Sequence, residues 1–459
     1  MTKTLTKSRV GTNLTEGPVM KTLLVFAGPI ILTNLIQQLY SMVDLMVIGK
    51  FVGTTGTVGV NTGGEIADLI MPIAMGFSSA GQIYIAQLSG AKEESKIKQT
   101  VGTLISFMLL IALVLAAGTI LFHRQILMLL NCPSEAMGQA SAYMLITALG
   151  MPFIFGYNAV CGVLRGMGES KSPLKFILVA ASVNIILDLL LVIVFPLEAA
   201  GTAIATVVSQ IGAFLAAFLY LWKRRKRFDF ELKISYFKIQ THILVVLVKL
   251  GIPQVVRGLL VRVSMLWINA SANSYGITVS ATNSVGNKLQ KFLEVYIQGL
   301  ETAAAAMIGQ NLGAKKSDRA GKVSHCTLAA AMSIATVISL LCIICPRAIF
   351  GIFSSDPEIL DLGEKFLHIM IIHFYATAAV ASYQSMVTGC GFVSLGFAIG
   401  VLDGVICKIG LSIFFATVIG MGYMGLFWGV GCSRILPAIL CAIYYYSGKW
   451  RTRKLLTEE

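Results

Sequence analysis

An aspartate, Asp44, lies inside the apolar run "QQLYSMVDLMVIGK" at residues 37–50. Asn34, Gln37 and Ser41 precede it at spacings of three and four, so a helix would place all four side chains on one face. A charged side chain within a membrane-spanning helix costs about 2.5–3.5 kcal/mol on insertion scales, and such groups usually face a water-filled cavity. We therefore predict that this face binds an ion or a polar substrate.

A second carboxylate, Asp188, follows Asn184 by four positions in another apolar run, which again puts both side chains on one helix face. Asn158 and Thr206 lie in the neighbouring runs, and these first-half runs offer no basic residue at this depth. Two carboxylates that meet without a cation can share a proton or hold a monovalent cation, with help from amide and hydroxyl oxygens. The sequence thus predicts ion coupling in the first half of the chain.

Other polar residues in the runs are candidates for a substrate cavity. The candidate set is Asn34, Gln37, Ser41, Glu65, Asp68, Arg257, Glu294 and Glu301. Glu65 and Asp68 share one helical stripe, where they could line the cavity or face water at the end of their helix. In the second half, Arg257 or Arg262 could form a structural salt bridge with one of the two glutamates, or the charged group could read the substrate.

The elements that carry these residues are membrane helices. The 459 residues are 56% hydrophobic and 13% charged, against roughly 25% charged residues in a soluble protein. Apolar stretches of about 18 residues or more recur along the chain and indicate spanning helices. The twelve predicted spans are 21–49, 56–89, 98–122, 137–163, 173–195, 199–222, 243–270, 276–312, 323–346, 362–388, 394–416 and 420–446.

The net charge of +14 is an orientation signal rather than a sign of nucleic-acid binding. Most of the 36 basic residues lie at the N-terminus, at 92–98, 165–175, 223–238 and 315–322, and at the C-terminus. The loops on the opposite side hold only Lys50, Arg124 and Arg347. By the positive-inside rule, we expect both termini in the cytoplasm and a multi-pass protein of the cell's inner (plasma) membrane.

The chain repeats itself. "QLSGAK" at 87–92 returns as "QNLGAK" at 310–315, and "RGMG" at 165–168 returns as "TGCG" at 388–391. Each half holds six spans, so the halves have the same orientation, as in transporters with a substrate cavity between two parallel repeats. The prediction is an N-terminal lobe at 1–222, a basic cytoplasmic linker at 223–242 and a C-terminal lobe at 243–459.

The repeat also serves as an internal control on the acidic residues. A shift of 224 positions takes Asp44 to Ile268, Asn184 to Lys408 and Asp188 to Ser412. The repeated scaffold therefore does not require these carboxylates, which favours a specific function for them in the first lobe.

Several classes of protein are disfavoured by what the sequence lacks. It contains no GxxxxGK[ST] phosphate loop, and its five histidines and nine cysteines show no spacing typical of a metal, nucleophile or disulfide framework. We expect a transporter rather than an enzyme, with no cofactor, no ATP and no nucleic-acid partner, driven by an ion gradient. We expect it to be a monomer.

At these residues the sequence resembles the multidrug and toxic compound extrusion (MATE) family over nearly its whole length. The matching pieces are "QQLYSMVDLMVIGKFVG", "IAQLSGAK", "LRGMGESKSP", "SSDPE" and "IGQNLGAKK". The resemblance implies a two-lobed fold of twelve helices and export of organic, often amphipathic, cations such as drugs and toxic metabolites. It also implies that an inward gradient of protons or sodium drives the export.

The resemblance is closer to the prokaryotic DinF-like branch than to the NorM-like branch. The resemblance to the DinF-like branch implies ion coupling at the positions of Asp44, Asn158, Asn184, Asp188 and Thr206. It leaves open a sodium ion at Asp44, Asn184, Asp188 and Thr206, with no other metal, and it implies a helix kink at Pro29. The acidic residues that the NorM-like branch has in spans seven and ten are missing here.

Three alternatives remain. A flippase for lipids or lipid-linked saccharides shares helix-bundle repeats, but its cavity should be strongly basic, whereas the first lobe here is acidic. A major-facilitator transporter would carry a Gly/Asp/Arg-rich motif where this chain reads "SGAKEESKIK". A membrane-embedded lipid enzyme would need a nucleophile, a His–Asp pair or a metal site near one membrane face.

Overall fold

The computed structural model describes residues 12–224 and 237–457, and no β-strand occurs among them. Lys3, Lys7, Arg9 and most of the predicted linker 223–242 lie outside the described residues. The helices of the first half are α1 (Val19–Phe51), α2 (Gly53–Ala91), α3 (Glu94–Leu129), α4 (Met137–Gly166), α5 (Lys171–Leu189) and α6 (Glu198–Lys223). Those of the second half are α7 (Thr241–Ser274), α8 (Ile277–Gly313), α9 (Ser317–Ile344), α10 (Pro346–Gly351), α11 (Pro357–Gly389), α12 (Val393–Val401), α13 (Leu411–Ile413), α14 (Tyr423–Cys432) and α15 (Ile435–Tyr446).

Eleven helical segments in the described part of the chain are long and apolar enough to cross a membrane. The 37-residue helix α8 has the necessary length but not the hydropathy, because Lys288, Lys291, Glu294 and Glu301 all lie on it. The sequence predicts a span at this position too. The prediction of an all-helical integral membrane protein is confirmed, and the helices are consistent with twelve spans in two lobes.

The described residues divide into two compact units, one made of 12–13 and 32–251 and the other of 14–31 and 252–457. Two helices, α1 and α7, each contribute residues to both units. Each of them contains a proline within two residues of the division, Pro29 in α1 and Pro253 in α7. Helix α1 continues through Pro29 to its end, and the kink proposed there stays a prediction.

One helix is central in each unit. In the first unit α4 packs on α2, α3 and α6, and in the second unit α11 packs on α8, α9 and α15. The approach of α4 to α2 requires glycine, since a Cβ atom on Gly162 would lie 2.6 Å from the backbone oxygen of Ser78. A Cβ atom on Gly166 would lie 2.7 Å from the backbone oxygen of Gln82. Glycine thus sets the spacing of the scaffold that carries α5 and α6.

The sequence repeat reappears in the backbone. Lys92 and Lys315, which end the two repeated hexapeptides, both adopt left-handed conformations, with φ of 60° and 58°. The last glycines of "RGMG" and "TGCG", Gly168 and Gly391, also have positive φ, at 85° and 71°. Glycine adopts this conformation without a steric penalty, which explains its presence at both positions.

We predict that Gly162→Ala destabilises the protein, because the added methyl group would meet the backbone of α2 and not a movable side chain. The expected loss is about 1–3 kcal/mol, as for other overpacked sites. Thermal unfolding of the purified protein in detergent would measure it. The matched control is Gly118→Ala in α3, where a Cβ atom would have no neighbour within 4 Å. Equal melting temperatures for the two variants would contradict the close packing of α2 and α4.

Candidate functional site

The carboxyl groups of Asp44 on α1 and Asp188 on α5 lie close enough to interact with each other. Asp188 is fully buried. Oδ1 of Asp44 and both oxygens of Asp188 accept no hydrogen bond, and neither carboxylate has an ion pair within the described residues. Both ionised groups are acceptors only, so a stable contact between them requires a shared proton or a bound cation.

Asn184 and Thr206 lie beside this carboxylate pair. The Asn184 amide nitrogen is 3.5 Å from Thr206 Oγ1, which makes it a weak donor to that hydroxyl. Its own oxygen, Oδ1, is buried and has no donor. The site therefore combines three carboxylate oxygens and one amide oxygen that all lack a protein donor, a donor set that suits a hard monovalent cation or a proton.

A local irregularity of α5 follows the site. The helix changes to π-helical geometry over Leu190–Val194, directly after the turn that carries Asp188. Single π-helical turns are often found next to functional sites. The repeat takes this stretch to Phe414–Val418 in the second half, which is π-helical as well, and a longer π-helical stretch, Leu402–Gly410, precedes it.

Two tyrosines near the carboxylates were missed by the sequence analysis. Tyr40 on α1 and Tyr143 on α4 are close enough to Asp44 to interact with it electrostatically. The Tyr40 hydroxyl also lies within hydrogen-bonding reach of the Gln210 side chain on α6. A signal for Tyr40 was available, because it precedes Asp44 by four positions and so shares its helix face. Tyr143 has no such signal, since only the packing of α4 brings it close.

Asn158 is not joined to the carboxylate pair by any hydrogen bond among the described residues. Its amide donates to the backbone oxygen of Ile154 in its own helix at 2.9 Å, and its backbone oxygen accepts from Ser78 Oγ at 2.6 Å. Sequence spacing placed it in the right helix but could not give its rotamer. In the structure it stabilises the contact between α4 and α2.

The other candidates of the first lobe lie outside this cluster of contacts. Asn34 and Gln37 are half-buried on α1, and Ser41 is exposed. Glu65 and Asp68 are both exposed on α2, and Asp68 lies close enough to Tyr143 to interact with its hydroxyl electrostatically. Their assignment to a substrate cavity stays a prediction.

The charged residues of the second unit pair with one another. Arg257 Nη1 on α7 lies 3.5 Å from Glu301 Oε1 on α8, which is the structural salt bridge considered for this region. The Arg257 Nε atom also lies 3.9 Å from Asp403 Oδ2. Arg434, at the start of α15, continues the chain of contacts, with Nε 3.6 Å from Asp403 Oδ1.

Glu294 on α8 is held from three sides. His373 Nε2 lies 2.7 Å from Glu294 Oε1, Gln290 donates to the same oxygen at 2.9 Å, and Arg434 Nη1 lies 3.8 Å away. His373 is fully buried, and its Nδ1 atom lies 3.1 Å from the backbone oxygen of Val430. The Glu294 carboxylate is thus satisfied within the protein, unlike those of Asp44 and Asp188.

Lys408 adds a third buried cation to this network. It is 2% exposed and interacts electrostatically with Asp403 and Glu294. We refer to Arg257, Lys408, Arg434, Glu294, Glu301, Asp403 and His373 as the second-unit network. With a neutral His373, its three cations balance its three carboxylates. The network therefore needs no external ion for neutrality.

His373, Asp403, Lys408 and Arg434 were not assigned to any site from sequence. Asp403, Lys408 and Arg434 carry a signal, because each is an ionisable residue inside an apolar stretch and therefore requires a partner. The partners themselves lie on four different elements, so their identity depends on the fold.

We predict that Glu294→Ala strongly destabilises the protein, because it leaves Arg434 and His373 buried without their common partner. Removing one member of a buried ion pair typically costs about 3–5 kcal/mol. The control is Asp361→Ala, which breaks a 2.6 Å ion pair with Arg347 between side chains that are 59% and 64% exposed. Exposed pairs contribute about 0–1 kcal/mol, so the control should melt close to the unmodified protein. Similar melting temperatures for both variants would contradict the structural role of the network.

Comparison with known proteins gives consistent matches. The MatE family model matches residues 29–190 and 253–420, one segment in each half of the chain. A probable multidrug resistance protein of Bacillus subtilis (strain 168), YoeA, is 27% identical over 445 residues, with 95% of each chain covered. The multidrug export protein MepA of Staphylococcus aureus (strain NCTC 8325 / PS 47) is 23% identical, with 94% of each chain covered.

A solved structure shares the fold. The crystal structure of a mutant of the Vibrio cholerae MATE transporter VcmN superposes with a TM-score of 0.88 at 20% identity. The match covers 95% of this chain and 98% of that one. At this level of identity the likeness concerns the fold alone.

Proposed function

Since the chain belongs to the MatE family of multidrug efflux transporters, we propose that it is a secondary antiporter that exports organic cations in exchange for protons or sodium ions. The observation that carries the proposal is the contact between Asp44 and Asp188, two carboxylates in the first unit without a cation of their own. A site of this kind is incomplete until a proton or a cation binds, and that is the property a coupling site needs.

In this proposal the two carboxylates bind the coupling ion, and the surrounding residues position them. Asn184 and Thr206 hold α5 and α6 together beside the site and offer oxygen ligands to a sodium ion. Tyr40 and Tyr143 offer hydroxyl groups near Asp44. If the ion binds better in the outward-facing state and the exported cation better in the inward-facing state, the two ligands drive alternating access.

The second-unit network has a structural role in the proposal. Its carboxylates are neutralised by residues of the same unit, so an exported cation gains little by approaching them. Arg257, Glu294 and Glu301, which were candidates for substrate recognition, are better assigned to the stability of the second unit. Coupling is then confined to the first unit.

The remaining expectations follow from this mechanism. The ion gradient supplies the free energy, so we propose that the protein needs no cofactor and no ATP and catalyses no chemical reaction. The distribution of basic residues favours cytoplasmic termini in the inner membrane. Each unit has its own buried core, which favours function as a monomer.

We predict that the purified protein, reconstituted in liposomes, moves a fluorescent organic cation against its gradient when a proton or a sodium gradient is imposed. The Asp44→Asn variant should abolish this movement, because an amide cannot exchange a proton and binds a cation weakly. Asp188→Asn should weaken it. The matched control, Glu135→Gln, removes an exposed carboxylate of the same unit outside the spans and should transport normally.

Each result of this assay has a defined meaning. Normal transport by a folded, equally reconstituted Asp44→Asn variant would contradict the coupling site. Transport that follows only one of the two imposed gradients would identify the coupling ion. Gradient-independent movement of labelled lipids between leaflets, without export of the cation, would instead favour the flippase.

A further inference from the structure

A polar cavity of about 550 Å³ lies in the second unit where α9 begins. We call it the basic cavity, because Lys315, Lys316, Arg319 and Lys322 line it together with a single carboxylate, Asp318. Its volume falls in the range of about 300–1,000 Å³ that is typical of small-ligand pockets. Neither the proposed coupling site nor the second-unit network includes any of these residues.

Two of the four cationic side chains of the basic cavity form hydrogen bonds that stabilise the fold. The Lys316 ammonium donates to the backbone oxygen of Thr15 at 3.0 Å. Arg319 donates to the backbone oxygens of Gly17 and Glu16 at 2.6 and 2.7 Å. These bonds hold the segment before α1 against α9. They are made to neutral carbonyl groups, which do not neutralise the Lys316 charge, and Arg319 also interacts electrostatically with the exposed Glu16 carboxylate.

The other charges of the cavity are available for a ligand. Lys315 and Lys322 are exposed, and their side chains make no hydrogen bond or ion pair with any described residue. Asp318 does not neutralise them, because its Oδ1 atom lies 2.6 Å from Arg451 Nη1. The cavity therefore holds four cations, and the carboxylates near them are those of Asp318, which pairs with Arg451, and Glu16, which interacts with Arg319.

The repeat shows that the turn itself does not require this charge. Lys92 occupies the matching position of the first unit with nearly the same backbone conformation, φ 60° against 58° for Lys315. There, however, two acidic residues follow, Glu93 and Glu94, and Glu93 lies 3.9 Å from Lys96. The same turn is thus charge-compensated in the first unit and strongly basic in the second.

The position of the basic cavity indicates where its ligand comes from. Val19 and Ser317, which both line it, are the first residues of two membrane-spanning helices, α1 and α9. The ends of spanning helices lie at the depth of the lipid headgroups. Further along α1, Leu24 and Val25 are 49% and 44% exposed and present apolar surface of the kind that acyl chains cover.

We propose that the basic cavity binds the phosphate group of an anionic phospholipid headgroup. Lys315 and Lys322 contact the phosphate, while Lys316 and Arg319 contribute charge and keep the segment before α1 in place. Clusters of lysine and arginine next to membrane helices attract anionic lipids in this way.

The test compares lipid binding by the full-length protein and two matched double variants. Protein stripped of lipid in a neutral detergent is titrated with phosphatidylglycerol, with phosphatidylcholine and with inorganic phosphate, and bound lipid is counted by native mass spectrometry. We expect phosphatidylglycerol to bind at least about tenfold more tightly than phosphatidylcholine. The Lys315→Gln, Lys322→Gln double variant should bind phosphatidylglycerol about tenfold more weakly. The Lys92→Gln, Lys98→Gln double variant should bind it as tightly as the unmodified protein does.

The alternatives give different results in the same experiment. The proposal would be overturned if the affinity for phosphatidylglycerol fell equally in both double variants. It would also be overturned if that affinity fell in neither of them. If inorganic phosphate displaces phosphatidylglycerol at equal concentration, the ligand of the cavity is a free anion instead. Thermal unfolding of each variant shows whether it is folded.

Discussion

The arrangement of the first unit depends on two carboxylates that meet inside a membrane without a cation of their own. Asp44 and Asp188 come from α1 and α5, and their oxygens have no donor among the described residues. Electrostatics alone would separate two such groups. The packing of glycine-lined helices holds α2 and α4 in close contact, α6 packs on α4, and α5 packs on α6 beside the carboxylate pair. A proton or a cation is a ligand that would suit this geometry.

The two halves of the chain differ in whether their buried carboxylates are paired with cations of the protein. In the second unit, Lys408 occupies the position that corresponds to Asn184, and Ser412 the position that corresponds to Asp188. The lysine places an amino group beside Asp403 and Glu294, whereas the Asp44–Asp188 pair has no basic partner among the described residues. Arg257, Arg434 and the carboxylates around them then form a balanced network. The repeated scaffold thus carries an unpaired carboxylate pair in one unit and a network of paired charges in the other.

Much of this could be predicted from sequence, because membrane helices follow directly from hydropathy. The repeat of "QLSGAK" as "QNLGAK" predicted two halves of one design, and Lys92 and Lys315 have matching backbone conformations. Helical spacing put Asn184 and Asp188 on one face. What spacing could not supply was contact between helices. The rotamer of Asn158, the approach of Tyr143 and the partners of Glu294 all depend on packing between elements far apart in the chain.

Helix α8 shows the limit of composition as a guide. Its charges lower its hydropathy below that of the other spanning helices, yet its Glu294 is buried among residues of α11 and α15. The same charges were open to two interpretations, substrate recognition or salt bridges, until their partners were known. Ionisable residues in apolar segments are therefore best interpreted in pairs, and the fold decides the pairing.

The central proposal is that the coupling ion binds at the carboxylate pair of Asp44 and Asp188 and thereby weakens the binding of the exported cation. The most direct measurement is the affinity of the purified protein for a fluorescent organic cation as the pH or the sodium concentration is changed. Our account predicts that acidification or added sodium weakens binding in the unmodified protein, and that the Asp44→Asn, Asp188→Asn double variant loses this dependence. An unchanged dependence in the folded double variant would contradict it.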